Sequence, residues 1–339
     1  MKPKCLVKID GIPITPISVD VTKQSHRYPD SANIVTENTD CKWNQVFGNP
    51  DPSKVEIYFK YEDVPGLKDW YLTFVGYADF SDFDINARSG SKFSIPCRSQ
   101  VVLLSDDTWT HKWEKAYLKT IIYDMVHTWF PIDFQCPNYY IGDHMIEEKS
   151  RWTDICEFAQ MFGCICYVNN AGVLYLGPYN KGKQYVYQFL NNYPRTIDEQ
   201  NANIENVHIE QKKSGFPYNK FIVVKKDDDK KDIYKGVTDS IIPRIAGRQK
   251  TYVMDHKYLQ SDKMAKELSD WICWKYEREY VKINIKSYGI PFINPEHIIE
   301  LVDVPNYSGF YWVEKISLHM EDEFDCDITA CTRDPKERF

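Results

Sequence analysis

The chain has 339 residues with a net charge of −7, and 15% of its residues are aromatic. This length is enough for one large domain, or for roughly two to three ordinary ones, that fold without disulfide staples. The sequence contains no long basic run, which excludes a conventional nucleic-acid-binding surface because phosphate neutralisation requires clustered Lys and Arg.

The N-terminal residues alternate like a strand and lack an apolar segment of signal-peptide length. No run of about 18 apolar residues is present, so the sequence predicts no membrane-spanning helix and no membrane partner. We expect a protein that is made in the cytoplasm and stays soluble. The 24 Tyr and 9 Trp favour a β-rich chain over a helical bundle.

The first region, residues 1–108, has the pattern of a small β-barrel or sandwich. Apolar and polar residues alternate at a period of two, and polar turns separate the runs. Strands are predicted over 6–11, 17–22, 30–35, 55–61, 71–77 and 91–98. A turn is expected at Pro65-Gly66, and 38–52 is interpreted as a long surface loop.

The period changes in the second region, residues 109–198, which is predicted to be a compact α/β insertion. Apolar residues at helical spacing predict a first helix over 112–130. This helix is expected to begin at an N-cap of Thr110 and to end at Pro131. Its aromatic stripe is interpreted as core packing and not as a cofactor site.

A second helix and a hairpin follow within the insertion. The helix is predicted over 150–162, and Gly163 occupies the position typical of a glycine that ends a helix. The hairpin has predicted strands at 164–168 and 173–176, joined by a turn of Asn, Ala and Gly residues that suits a tight reversal.

The third region, residues 199–339, returns to β structure and is predicted to form a second β-domain carrying one helix at about 261–279. Strands are predicted over 204–210, 221–224, 281–288, 297–302, 310–318 and 324–332. A mixed-charge run lies between two of them and consists of Lys225, Lys226, Asp227, Asp228, Asp229 and Lys230, continuing to residue 232. We interpret this run as a solvated hairpin tip, with a partner-docking loop as the alternative.

The sequence contains none of the local motifs of catalysis. The motifs G-x-S-x-G, H-E-x-x-H and a glycine-rich phosphate loop are absent, and we predict no catalytic, metal or cofactor site. His144, near Asp143 and Glu147, is interpreted as surface with a metal site as the alternative. Neighbouring carboxylates such as Asp106-Asp107 leave a glycosidase pair open as a weaker alternative.

The ten cysteines are spread along the chain, and none forms a C-x-x-C pair. We interpret them as reduced, buried thiols that pack like small hydrophobic residues. A zinc site that includes Cys164 and Cys166 is the alternative, although no matching pair of His residues lies nearby in the sequence.

Three stretches, in order, together resemble the late-control-protein-D and baseplate-hub family of tailed phages. The first stretch consists of the strands at 7–11 and 17–22 and their continuation at 74–79 and 93–99. The second is the helix EEKSRWTDICEFAQMFGC, which leads into the hairpin YVNNAGVLY. The third consists of a helix–strand segment at 265–285 and a strand–loop–strand segment at 298–316. One departure is the turn Asn294-Pro295-Glu296, where the family usually has Pro-Gly-Asp. We therefore expect this turn to be built differently.

The resemblance implies two β-barrel-like tube domains, 1–108 and 199–339, that flank the α/β unit at 109–198. It also implies a non-enzymatic homotrimer in the virion that joins a six-fold tail tube to a central spike. The implied partners are other copies of the chain, the tail tube protein and the spike protein, together with the tape measure and other baseplate proteins. The alternatives are a component of a phage-like secretion or injection particle and a tail-associated cell-wall hydrolase.

Overall fold

The computed structural model describes residues 2–25, 29–38, 53–64, 67–79, 82–86, 90–179, 182, 184–191, 203–211, 218–227, 229–241 and 249–334. The fold is mainly β, as the sequence predicts, with several sheets and few helices. Among the described residues, no helix is both long enough and apolar enough to cross a membrane.

In the described residues of the N-terminal region there are eight strands. They are β1 (Pro3–Ile9), β2 (Ile12–Ile14), β3 (Pro16–Gln24), β4 (Ser31–Glu37), β5 (Lys54–Tyr61), β6 (Tyr71–Ala78), β7 (Asp82–Asn86) and β8 (Gly90–Ser99). All six strands predicted for this region are confirmed. The predicted Pro65-Gly66 turn and residues 39–52 of the predicted loop lie outside the described residues.

Between the end of β8 and residue 179, all of which is described, there are three short helices and five strands. They are α1 (Val102–Ser105), β9 (Thr108–Tyr117), α2 (Leu118–Val126), β10 (Ile132–Phe134), β11 (Tyr140–Ser150), α3 (Arg151–Met161), β12 (Ile165–Val168) and β13 (Leu174–Gly177). The predicted helix over 150–162 is confirmed, because Ser150 Oγ accepts a hydrogen bond from Thr153 N and Gly163 has a φ of +68°. The predicted hairpin is confirmed as β12 and β13.

The predicted helix over 112–130 is wrong in its first part. Residues up to Tyr117 form β9, which pairs with β11, and α2 begins only at Leu118. The predicted N-cap Thr110 lies in the strand, where its hydroxyl accepts a hydrogen bond from Glu148 N at 3.2 Å. Trp113 and Tyr117 are four positions apart, and this spacing puts two residues on one face of either a helix or a strand.

The remaining elements lead to the C-terminus. They are β14 (Tyr187–Leu190), β15 (Asn206–Gln211), β16 (Lys220–Lys226), β17 (Asp232–Asp239), β18 (Thr251–Asp255), α4 (Asp262–Arg278), β19 (Val281–Tyr288), β20 (Ile298–Val302), β21 (Gly309–Met320) and β22 (Phe324–Thr332). The predicted helix at about 261–279 is confirmed, with Ser261 Oγ accepting a hydrogen bond from Met264 N.

One large sheet joins the two ends of the chain. Its order is β15-β19-β22-β21-β3-β4-β8-β6-β5-β1-β2, with β14, β20 and β7 attached to it. The antiparallel pair of β21 and β3 connects the C-terminal strands to the N-terminal strands. Both sets of strands contribute to one hydrophobic core, which contains for example Val21, Phe59, Ile316 and Phe324.

A second core lies between the insertion and α4. The sheet β17-β16-β18 and the helix α4 pack against the insertion through residues such as Phe221, Leu268 and Ile272, which share a core with Trp152 and Phe158. The sequence interpretation had assigned this segment to the second β-domain. The packing groups most of this segment with the insertion, which shares the second core with it. Trp271 and Trp274 of α4 also pack against Ile298, Trp312 and Cys331 of the large sheet.

Candidate assembly surfaces and an interior cavity

The mixed-charge run forms the turn between β16 and β17. Asp227 closes this turn, because its backbone carbonyl accepts from Lys230 N and its carboxylate accepts from Lys231 N. Lys230 has a φ of +62°, and Asp229 and Lys231 are exposed and 3.8 Å apart. Asp228 lies outside the described residues, while Lys225 is half-buried with its Nζ bound to the carbonyl of Leu259. The turn therefore satisfies its own polar groups locally, which is typical of a solvated tip.

Large apolar side chains are exposed on the insertion and on the sheet that packs against it. They are Tyr117, Tyr123, Trp129, Tyr140, Met145, Ile233, Ile241 and Val253. Tyr117 and Tyr140 contact each other edge to face across β9 and β11, with ring centroids 5.3 Å apart. Aromatic residues and Met are enriched in protein–protein interfaces, so this exposed apolar set is a candidate assembly surface.

A cavity of about 290 Å³ lies where the insertion meets the large sheet. Residues from five parts of the chain line it: the end of β3 with the loop after it, the end of β8 with the residues that follow, α3, the hairpin of β12 and β13, and the turn before β20. Its polar lining includes Lys23, Asp30, Asn294, Glu296 and His297. The cavity is therefore lined by residues that lie more than 250 positions apart in the sequence.

The charged groups of this cavity are removed from water. Lys23 Nζ donates to Asn294 Oδ1 at 2.6 Å, and burial lowers the pKa of Lys23 to about 8 while Asp30 partly opposes this change. Burial raises the pKa of Asp30 to about 6. Burial also lowers the pKa of His297, whose Nδ1 accepts from Asn294 N. Each group therefore tends toward its neutral form.

Glu296 is the most perturbed carboxyl of the cavity. Burial first, and then the nearby Asp30, raise its pKa to about 8, whereas Arg278 lowers it. Within the part of the chain that the structure describes, its Oε1 is buried without a hydrogen-bond partner. Its φ is +71°, a left-handed conformation that costs a non-glycine residue about 1 kcal/mol or more. The turn thus places against the cavity a carboxyl group that favours its protonated form and has a left-handed backbone conformation.

We expect Glu296→Gln to flatten the pH dependence of stability. The folded pKa of about 8 exceeds the ordinary 4.5. The native state therefore keeps a proton that the unfolded chain releases, and this stabilisation is complete below pH 4.5 and is lost as the pH rises to about 8. The free energy of unfolding of the parent protein should fall by on the order of 3 kcal/mol more than that of the variant between pH 5 and pH 8.

Urea denaturation at both pH values measures this difference. Glu321→Gln, in the exposed turn between β21 and β22, is the matched control and should follow the parent protein. Parallel pH profiles for the Glu296 variant and the parent would contradict the prediction. Asp30 acts in the same direction at lower pH, and the lowered pKa of Lys23 acts in the opposite direction above pH 8.

The other residues considered for chemistry have structural partners. His144 does not join Asp143 and Glu147; its Nε2 lies 2.9 Å from Asp154 and its Nδ1 lies 3.3 Å from the Tyr258 hydroxyl. Asp106 pairs with Arg98, and Asp107 pairs with Arg151. Among the described residues, no group of three or more His, Cys, Asp or Glu residues could hold a metal ion.

The cavity residues Lys23, Asp30 and Glu296 were not identified by sequence reasoning. Lys23 continues the alternation of a strand, and its burial follows only from the packing of distant segments over it. The sequence did carry one signal, because the turn at 294–296 was expected to be built differently. The φ of +71° at Glu296 agrees with that expectation.

No family model matches the chain, and no curated protein sequence matches it. Solved structures do share its fold. A tail protein from Neisseria meningitidis MC58 is similar with a TM-score of 0.72 and 12% identity, over 98% of this chain and 97% of that one. The 43 kDa tail protein of prophage MuSo2 from Shewanella oneidensis is similar with a TM-score of 0.71 and 11% identity, over 98% and 99%.

A component of the type VI secretion system of Escherichia coli is also similar, with a TM-score of 0.57 and 8% identity over 96% of this chain and 76% of that one. That protein is described as structurally similar to the bacteriophage T4 tail proteins gp27 and gp5. At these identities the likeness establishes a shared fold. The chain therefore has a fold found in phage tail proteins and in a type VI secretion component.

Proposed function

We propose that the chain is a structural, non-enzymatic subunit of a phage tail and that it acts as a baseplate hub. In this function three copies form a ring that joins the six-fold tail tube to the central spike. The observation that carries the proposal is the fold shared with two tail proteins over nearly the whole of both chains. A likeness of this extent leaves no large part of the described fold without a counterpart in a tail protein.

The arrangement of the chain supports a ring function. Two β-rich halves meet in one sheet through β3 and β21, while the insertion and α4 form a separate core beside them. We propose that the two halves act as barrel-like tube domains, with residues 109–198 as the unit between them. Two such domains in each of three copies would give the ring the six-fold repeat that a tail tube requires.

The exposed apolar set is proposed to contribute to contacts between copies or with the tail tube and spike proteins. Obligate interfaces bury large apolar faces, and the aromatic side chains of this set are suited to them. The tape measure and other baseplate proteins are further partners in this proposal, and neither nucleic acid nor a membrane is a partner. The protein would be made in the host cytoplasm and reside in the virion tail.

The oligomeric state and the position in the particle test this proposal. Mass photometry of the purified chain at micromolar concentration should give a trimer, either alone or after addition of the tail tube protein. Electron microscopy of particles labelled on this chain should place it between tube and spike. A stable monomer in both mixtures, together with label elsewhere on the particle, would refute the hub function.

We expect reversal of charge at the tip of the β16–β17 hairpin to leave both stability and assembly unchanged. Lys226 and Lys231 are exposed, and substitutions at such positions change the free energy of unfolding by about 0.5 kcal/mol or less. Thermal unfolding of Lys226→Glu/Lys231→Glu and its incorporation into particles are the measurements. Lost incorporation by a stably folded variant would favour the docking-loop alternative.

The neighbouring Lys225 is the matched control for that experiment. Its Nζ donates to the carbonyl of Leu259 at 3.1 Å, in a half-buried position. Lys225→Glu should therefore lower the free energy of unfolding by about 1–3 kcal/mol, because it removes this charged donor and leaves the carbonyl without it.

A component of a secretion or injection particle is the second candidate function, and the similar type VI secretion component favours it. Genes for a tail tube, a tape measure and a baseplate beside this gene would favour the phage. The third candidate, a tail-associated cell-wall hydrolase, predicts clearing of peptidoglycan in a zymogram. We expect no clearing, because Asp106 and Asp107, the neighbouring carboxylates named above, each pair with an arginine side chain.

A further inference from the structure

Two pairs of cysteine sulfurs face each other inside the insertion. Cys136 Sγ and Cys164 Sγ are 3.0 Å apart, and Cys156 Sγ and Cys166 Sγ are 3.6 Å apart. A disulfide bond is about 2.05 Å long, so the first pair needs roughly 1 Å of further approach. The sulfurs of the first pair already touch, with the Cys164 thiol donating toward Cys136.

The elements around the first pair hold it in place. Cys136 lies in the segment between β10 and β11, and Cys164 follows the glycine that ends α3. Cys164 N donates to the carbonyl of Ala159 at 2.7 Å, which fixes the backbone at this end of the helix. A covalent link between Cys136 and Cys164 would tie the β10–β11 segment directly to the end of α3.

Neither pair belongs to a metal site in the described part of the chain, where no suitable cluster of three or more ligands is found. The contact with Cys164, together with burial, raises the pKa of Cys136 well above the ordinary value for a thiol. Both thiols are buried, with exposed fractions of 5% and 4%. They are therefore protected from reaction until the segment opens locally, because the thiolate is the reactive form.

We propose that Cys136 and Cys164 form a covalent modification site, an intramolecular disulfide made by exchange with a low-molecular-weight disulfide when the protein leaves the reducing cytoplasm. In the first step, one cysteine loses its proton to solvent and its thiolate attacks the external disulfide. A mixed disulfide forms and one small thiolate leaves.

In the second step, the other cysteine loses its proton and attacks the protein sulfur of the mixed disulfide. The Cys136–Cys164 bond forms and the second small thiolate leaves, so that two protein thiols and one disulfide become one protein disulfide and two small thiols. The two cysteines lose two electrons, and the external disulfide gains them. The site stays reduced in the cytoplasm and oxidises outside it.

The expected product is detected by peptide mapping. The purified full chain is incubated with oxidised glutathione at pH 8, with and without urea below the unfolding midpoint, and free thiols are then alkylated under denaturing conditions. Mass spectrometry of a non-reducing digest should find the peptides of Cys136 and Cys164 linked, lighter than the two free peptides by two hydrogen atoms. The link should form faster with urea and should raise the Tm by about 5 °C, reversibly with a reductant.

Cys136→Ser and Cys164→Ser should each abolish the link and the rise in Tm. Cys156→Ser, in the more distant pair, is the matched control and should retain both. Recovery of Cys136 and Cys164 as alkylated thiols or as separate glutathione adducts under both conditions would overturn the proposal, and the mapping of the parent protein gives this result even if a variant fails to fold. Exit from the cytoplasm rests on the proposed function, but the outcome of this test is independent of the hub function, because it concerns one isolated chain.

Discussion

Replacing Phe324 by Ala should lower the free energy of unfolding by about 3–5 kcal/mol, one of the largest effects expected of any single substitution in this chain. Phe324, in β22, is buried against the N-terminal strands. Its ring stacks on that of Phe59 in β5, with centroids 4.5 Å apart, and lies 5.7 Å from that of Tyr61. Gly289 packs so closely on the ring that an added Cβ would lie 2.5 Å from it. The truncation therefore leaves a cavity that rigid neighbours cannot fill.

This substitution also tests whether the two ends of the chain unfold together. The shared core predicts one transition, shifted as a whole, when urea unfolding is followed by far-UV circular dichroism and by tryptophan fluorescence. Phe324→Leu is the control and should cost about 1.5 kcal/mol or less, because most of the volume is kept. Two separate transitions, of which only one moves in the Phe324→Ala variant, would show that the halves do not share a cooperative core.

Elements with strong local signals could be predicted from the sequence. Ser150 and Ser261 accept backbone hydrogen bonds at the starts of α3 and α4, and Gly163 and Gly172 adopt the positive φ angles that their turns require. These features act within a few residues, so a single sequence contains them. Most strands of the large sheet were predicted for the same reason, because alternating apolar and polar residues indicate which face of a strand is buried. The short strands β2, β7 and β14 were not predicted.

The elements that were missed depend on distant partners. The segment that became β9 is a strand because β11 pairs with it across more than twenty residues of intervening chain, and its aromatic spacing did not distinguish strand from helix. The packing of α4 on the insertion has the same origin. The cavity is the extreme case, because Lys23 reaches Asn294 across 271 positions. No local pattern could have brought these residues together.

Arg278 is a second position where a large effect is expected. It lies near the end of α4 and is 2% exposed. Its guanidinium carbon is 4.2 Å from the ring centroid of Trp312 and 4.9 Å from those of Trp274 and Tyr179. The Glu314 carboxylate lies 3.9 Å from Nη2 of Arg278 and pairs more closely with Lys282, at 2.9 Å. Aromatic faces, more than an opposite charge, therefore surround this buried cation.

Arg278→Ala should lower the free energy of unfolding by about 3–5 kcal/mol, because it empties the space between three rings and removes the cation–π contacts. Arg278→Met refills much of that space without a buried charge, and replacement of a buried ion by apolar volume is often nearly neutral, so it should cost about 1 kcal/mol or less. Arg278→Lys keeps the charge but loses the planar group that stacks on the rings, and should fall between the two.

In urea unfolding, the Arg278→Met variant should therefore be the most stable of the three, followed by Arg278→Lys and then Arg278→Ala. This order separates the contribution of packing from that of charge, because the Met variant retains the packing and the Lys variant retains the charge. If the Lys variant were as stable as the parent protein and the Met variant as unstable as the Ala variant, the ion pair with Glu314 would be the dominant interaction. The distance of 3.9 Å to Glu314, against ring contacts on three sides, favours the first order.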